Sequence, residues 1–183
     1  YVGELGWEFY CPMEYGLRLW DNLWEAGVPE GMVAGGYKAI DSLRLEKAYR
    51  YWSGEISPDY TPFEAGLGYF VKLDKGDFIG REALLKQKQE GLKRKLCCMT
   101  LDDSRTIALG KEPIRSADKG EIIGWIASGG YGYSVQKSIA YAYLSIEYSK
   151  PGTRLEGEFF GERVGMEVVR APLFDPKGER IRC

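Results

Sequence analysis

The order of apolar and polar residues divides the chain into two kinds of pattern. In YVGELGWEFY, residues 1–10, Tyr1, Leu5, Trp7 and Phe9 fall on one face of an extended segment. Val2, Glu4, Glu8 and Tyr10 fall on the other, which predicts a strand with one apolar side. From Glu14 to Ala26, Leu17, Trp20, Leu23 and Trp24 recur at spacings of three and four before Gly27. That is an amphipathic helix with a glycine stop, and its tryptophans are expected in the core. GGYKAIDSLRLEKAYRYW, residues 35–52, predicts a second helix in which Asp41 pairs with Arg44 one turn on. After SGEISPDYTP, the segment FEAGLGYFVKLDKG alternates through Tyr69, Val71 and Leu73 as a strand, and residues 81–90 predict a third helix closed by Gly91.

From Leu92 onward the period changes. LKRKLCCMTLDD, EIIGWIASGGYG, KSIAYAYLS and TRLEGEFFGERVGMEVVRAPL are short runs with period-two apolar residues, separated by turn signals such as Asp118-Lys119-Gly120 and Pro151-Gly152. Strands at this spacing predict a small all-β barrel or sandwich. Gly157 and Gly161 leave room for a hairpin with aromatic packing, and Gly165 predicts a bulge in its return strand. The expected organisation is an α+β part over residues 1–91 followed by an all-β part over residues 92–183.

Composition narrows the chemistry. The 183 residues, 44% apolar and 14% aromatic, can bury a substantial core. No apolar run approaches the roughly 18 residues of a membrane helix, and no stretch has the order of a signal peptide. Because the first residue already sits inside a strand-like run, the pattern predicts a fragment rather than a processed precursor. Twenty-five basic and 27 acidic residues are well mixed, which gives no nucleic-acid footprint. The one tight basic cluster, Lys93, Arg94 and Lys95, is expected to be a solvated lead-in to a strand.

The chain has no histidine, so a Ser-His-Asp or Cys-His arrangement or a Cys2His2 zinc site cannot be built from it. Cys11, Cys97, Cys98 and Cys183 form no CxxC pair, and no metal site is expected. Adjacent Cys97 and Cys98 in a strand point to opposite faces, one thiol in the core and one outside it. SGGYGYS, residues 128–134, looks like a phosphate loop, but Gln136 stands where that loop needs glycine and a strand follows instead of a helix.

YVGELGWE, AIDSLRLEK, TPFEAGLGYFVKLDKGDFIGREAL, KSIAYAY and PLFDPKGERIR, collinear over nearly the whole chain, resemble the C-terminal part of the glycine-cleavage T-protein (aminomethyltransferase) superfamily. Within it the chain is most similar to the folate-binding half of sarcosine and dimethylglycine dehydrogenases. The resemblance implies the C-terminal part of a folate-binding domain, truncated at its N-terminal side over residues 1–91, followed by a small antiparallel β-barrel. It implies tetrahydrofolate as ligand, with Glu8 accepting from the pterin's amino and ring N–H groups and with Tyr1, Phe9, Tyr10 and Tyr69 lining the pocket. A carboxylate suits two parallel donors, and flat rings suit a flat pterin. Alternation alone would make Tyr1, Phe9 and Tyr69 ordinary core or rim aromatics and Glu8 an exposed strand carboxylate; the collinear match favours the folate reading.

Departures from the family refine this. The glycine-cleavage enzyme carries an arginine where this chain has Ile40, just before Asp41, which points to the dehydrogenase-like branch. The family's catalytic aspartate lies upstream of Tyr1, as does the flavin domain, so no catalytic residue is assigned, FAD is expected only in the absent part of a parent, and the chain alone is expected to be inactive. The parent is expected to oxidise sarcosine or dimethylglycine and form 5,10-methylenetetrahydrofolate, in bacterial cytoplasm or the mitochondrial matrix. Its partners are folate and the upstream segment, with neither nucleic acid nor membrane. The alternatives are a stand-alone aminomethyltransferase or demethylase of the superfamily, and a non-catalytic folate-binding module.

Overall fold

The computed structural model describes residues 1–182; Cys183 lies outside them. The architecture is α+β. Among the described residues three α-helices come first, α1 (Gly16–Gly27), α2 (Tyr37–Glu46) and α3 (Arg81–Glu90). Six strands follow, β1 (Arg94–Leu101), β2 (Pro113–Ser116), β3 (Ile122–Gly132), β4 (Lys137–Ser145), β5 (Arg154–Phe159) and β6 (Glu162–Val169). They close into an antiparallel barrel in the order β1-β4-β3-β2-β5-β6.

Closure follows from the alternation. Met99, Leu101, Ile114, Ile126, Ala140, Ala142, Leu144, Leu155, Met166 and Val168 point inward from different strands and form one continuous core. Closing the sheet gives each of the six strands a neighbour on both sides. β5 and β6 make the expected hairpin, and Gly157 leaves space for the ring of Phe159 and for Met166. The register runs unbroken through Gly165, which is therefore not a bulge; it makes room instead for the side chains of Asp102 and Arg154. The irregularities fall between Ile114 and Arg115 in β2 and between Ile126 and Ser128 in β3.

β4 is buried on both faces. Its outward residues Ile139 and Tyr141 pack under Leu45 and Ala48, at and just beyond the end of α2, with Cys98 beside them. Cys97 and Cys98 thus face opposite sides of the barrel wall, as a strand requires, but both are core thiols. Burial pushes Cys97 up to about 11 and Cys98 up to about 12. The helix α2 stops sooner than the pattern predicts, because Ala48 turns to φ 59°. Helix α3 has the predicted bounds, closed by Gly91 at φ 81°.

Two predicted strands do not form. Residues 1–10 are bends and irregular chain, and residues 63–76 hold turns and a short 3-10 helix, Gly68–Phe70. Each has the alternation of a strand, but a strand exists through its ladder, and no other segment of the described residues supplies one. The same reason corrects α1. Its apolar stripe is real, but Trp20 and Trp24 are 50% and 37% exposed and stack on each other instead of on a core. Arg94 is also more than a solvated lead-in: it lies over the ring of Tyr60 and pairs with Glu64 at 3.0 Å.

Candidate functional site

The opening residues lie across the end of α2. Tyr1 stacks on Tyr49 at 6.0 Å and its hydroxyl donates to the carbonyl of Arg50. Desolvation raises the Tyr1 phenol above its ordinary value, against the opposing pull of Arg44. Gly3 sits at φ 80° against the stem of Lys47, where a Cβ would collide with the methylenes, so only glycine lets the chain pass there. Glu4 pairs with Arg180 at 2.9 Å and ties the segment to the C-terminal residues.

Of the residues expected to line the folate pocket, Glu8 and Tyr10 are brought together. The Tyr10 hydroxyl donates to Glu8 Oε2 at 2.6 Å, and that bond to a carboxylate raises the phenol's pKa. Phe9 and Tyr10 are both exposed, with their rings open to a ligand. Tyr69 is exposed too; its ring meets Phe70 edge-on at 5.5 Å and lies under Lys72 Nζ at 4.9 Å. The contacts of Tyr69 are thus with its own neighbours, and those of Tyr1 are with the turn after α2.

Beneath this layer lies a cluster of buried charges that periodicity did not reveal. Arg44 Nη1 meets Glu55 Oε1 at 2.6 Å, and the two residues are 4% and 1% exposed. Glu55 also accepts from the Tyr51 N–H at 2.6 Å and from the Ser128 hydroxyl on β3. Asp41 adds the predicted helix pair with Arg44 at 3.4 Å. Glu46 Oε1 accepts from the backbone N–H groups of Ser134 and Val135 in the turn between β3 and β4, while its carbonyl accepts from Leu173 and Phe174. Lys47 Nζ reaches Asp175 at 3.0 Å. The Asp175 carboxyl is held below its usual range, chiefly by the N–H of Glu179 and then by Lys47.

The motif DSLRLEK is therefore a clamp. Its side chains join α2, the loop at Glu55, the barrel and the C-terminal segment, while Tyr141 and Tyr143 donate from β4 to the carbonyls of Leu45 and Glu55. Arg44, Glu55 and Lys47 are paired and hydrogen-bonded, the condition under which charges can be buried at all, whereas Glu46 is held by backbone N–H groups at Oε1 alone. The sequence held one sign of this: Arg44, Glu46 and Lys47 are so closely spaced around Leu45 that burying the leucine brings charged neighbours in with it. Among the described residues no group of three or more His, Cys, Asp or Glu is placed to hold a metal ion.

The opening segment offers a carboxylate bonded to a neighbouring phenol, and comparison with known proteins shows what the chain is similar to. Residues 1–75 match the GCVT N-terminal domain, and residues 94–175 match the glycine cleavage T-protein C-terminal barrel domain. The chain is 43% identical over 183 residues to the mitochondrial dimethylglycine dehydrogenase of Mus musculus, covering 100% of this chain and 21% of the relative. It is 38% identical over 178 residues to an aminomethyltransferase of Desulfitobacterium hafniense, covering 97% of this chain and 48% of the relative. The crystal structure of glycine cleavage system aminomethyltransferase T from Bartonella henselae superposes with a TM-score of 0.81 at 26% identity, over 90% of this chain and 45% of that one. The chain thus spans about a fifth of the length of the dehydrogenase and about half that of the aminomethyltransferases.

Proposed function

Because the chain belongs to the glycine cleavage T-protein superfamily, we propose that it forms one wall of a tetrahydrofolate site in a larger one-carbon enzyme of the sarcosine and dimethylglycine dehydrogenase kind. The observation that carries this is the Glu8–Tyr10 pair. The 2.6 Å bond from Tyr10 occupies Glu8 Oε2 and holds the carboxylate in place, so that Oε1 and the remaining lone pairs are available for N–H donors of a pterin. Exposed Phe9, Tyr10, Tyr1 and Tyr69 supply flat apolar area, which fits a flat, donor-rich heterocycle. In the whole enzyme tetrahydrofolate accepts a one-carbon unit at the oxidation level of formaldehyde.

The residues of this chain bind and orient that acceptor. The clamp of Arg44, Glu55, Glu46 and Lys47 keeps the Tyr1 end of the wall fixed on the barrel, which is what a preorganised site needs. The flavin chemistry that would release the carbon from an N-methyl amine belongs to a part of the parent outside these residues. The exposed stripe of Leu17, Trp20, Leu23 and Trp24 is the surface on which we place the rest of the folate-binding domain. The enzyme would work in the mitochondrial matrix of a eukaryote or in bacterial cytoplasm. A stand-alone aminomethyltransferase is the second reading, supported by the D. hafniense relative and weakened by Ile40 before Asp41.

The test uses the full-length parent, supplied with dimethylglycine or sarcosine, and follows the fate of the methyl carbon. With tetrahydrofolate present the carbon should appear as 5,10-methylenetetrahydrofolate, and without it as free formaldehyde. Unchanged formaldehyde yield at saturating tetrahydrofolate would refute the proposal.

A further inference from the structure

Arg50 fastens two separate parts of the proposed folate wall. Its carbonyl accepts from the hydroxyl of Tyr1, whose ring stacks on the neighbouring Tyr49. Its side chain reaches the turn that leads to Tyr69. There Nε donates to the carbonyl of Ala65 at 3.1 Å, while Nη1 donates to the carbonyl of Ala48, where the chain leaves α2 at φ 59°. Nη2 rests against Gly66, which is at φ 70° and where a Cβ would stand 2.8 Å from that nitrogen.

From Gly66 the chain runs to Tyr69 through a closed set of backbone bonds. The N–H groups of Gly66, Leu67, Phe70 and Val71 donate to the carbonyls of Phe63, Pro62, Leu67 and Gly68. A turn tied in this way moves as a unit, so its placement is decided where it is fastened. One fastening is the Glu64 carbonyl, which accepts from the N–H of Leu96 on β1 at 2.8 Å. The other is the guanidinium of Arg50. Arg50 is half-buried, and among the described residues no carboxylate pairs with it. An arginine that served as a counter-charge would have an acid beside it, as Arg44 has Glu55. This one directs its planar fork at main-chain carbonyls of two segments, a geometric task for which lysine, with a single ammonium head, is poorly suited.

We propose that Arg50 is a positioning residue for the ligand wall: its side chain sets the turn that carries Tyr69 in a fixed relation to Tyr1, which its carbonyl holds, so that both rings meet one flat ligand. The inference rests on the folate reading for the identity of that ligand. Arg50 acts through Tyr69 and does not itself touch the ligand.

The test measures tetrahydrofolate affinity by calorimetry in the full-length parent, across a cycle of Arg50→Met, Tyr69→Ala and the double variant. Each single variant should bind about 10-fold more weakly than wild type. The double variant should bind within about 2-fold of Tyr69→Ala, because a turn without its ring has nothing left to place. An arginine with a purely structural role would lower affinity by the same factor in both backgrounds. Arg50→Lys, which can serve one carbonyl where arginine serves two, should fall between wild type and Arg50→Met, and it carries the same cycle if Arg50→Met does not fold. Hydrogen exchange reads the placement without ligand: amides of residues 66–71 should exchange faster in the Arg50 variants, while those of β5 and β6 keep wild-type protection. Affinity of the Arg50 variants within about 2-fold of wild type, losses that multiply in the double variant, or unchanged exchange in residues 66–71 would each overturn the role of Arg50 alone. A wild-type parent that does not bind tetrahydrofolate would overturn the folate reading and this role together.

Discussion

Arg44→Met strands the carboxylate of Glu55 inside the protein. In the native chain Arg44 Nη1 lies 2.6 Å from Glu55 Oε1, and the carboxylate is 1% exposed. After the substitution Glu55 still accepts from the Tyr51 N–H and the Ser128 hydroxyl, but its charge has no counterpart. Removing one partner of a buried pair costs about 3–5 kcal/mol, and the two surviving donors place this case near the lower end. For a chain of this size each kcal/mol lowers Tm by about 2–4 °C, so the fall should be about 6–12 °C. Thermal unfolding followed by circular dichroism measures it. The double variant Arg44→Met/Glu55→Leu removes both charges and should recover a large part of the loss, since an apolar replacement of a buried pair is often nearly neutral. A change of less than about 0.5 kcal/mol for Arg44→Met, or a double variant no more stable than the single one, would refute the reading of this motif as a buried clamp.

Three further outcomes follow from the same structure. Residues 92–183, which contain the closed barrel and its core, should remain folded when residues 1–91 are removed, though with Ile139, Tyr141 and Cys98 uncovered; residues 1–91 alone should be cleaved quickly in limited proteolysis, and preferential survival of that half would place the core on the wrong side of the boundary. Because burial raises Cys97 to about 11 and Cys98 to about 12, both stay protonated in the folded chain while the unfolded chain loses those protons above about pH 8.5. Stability is therefore full below that pH and falls as pH rises toward 11, by up to about 1.4 kcal/mol per pH unit for each thiol; denaturant midpoints should show a shallower fall between pH 9 and 10 in Cys97→Ala/Cys98→Ala, and an unchanged slope would contradict it. The chain alone, mixed with sarcosine and tetrahydrofolate, should neither oxidise the amine nor transfer carbon, and any flavin-independent turnover would overturn the division of labour proposed above.

What was legible in the sequence is what a period can encode when its partners lie in the same chain. The barrel strands alternate because one face meets the common interior, and α3 ends where Gly91 turns to a positive φ of 81°. The failures share one cause. YVGELGWEFY, the run through Tyr69 and Leu73, and the stripe of Trp20 and Trp24 carry correct one-sided patterns, but none of the described residues meets the apolar side with a ladder or a core. The clamp was missed for the opposite reason. Periodicity assigns Arg44, Glu46, Lys47 and Glu55 to solvent, whereas their burial depends on partners up to 128 residues away, such as Asp175 for Lys47. Of the candidate site, neither the Glu8–Tyr10 hydrogen bond, which forms in irregular chain and not on a strand face, nor the distances that join Tyr1 to Tyr49 and Arg50 could be read from the order of residues.

If Glu8 reads the pterin, calorimetric titration of tetrahydrofolate into the full-length parent and into its Glu8→Gln variant should separate the two. The Tyr10 hydroxyl donates to Oε2 at 2.6 Å, so in the variant the amide oxygen should turn to Tyr10 and the amide N–H groups toward the pterin donors. Donor then faces donor, and affinity should fall by about 30-fold or more, with the rate of amine oxidation unchanged. Tyr69→Phe, which keeps the ring and removes only the hydroxyl, should bind within a few-fold of wild type. A folded Glu8→Gln parent that binds tetrahydrofolate as tightly as wild type would show that Glu8 does not read the pterin.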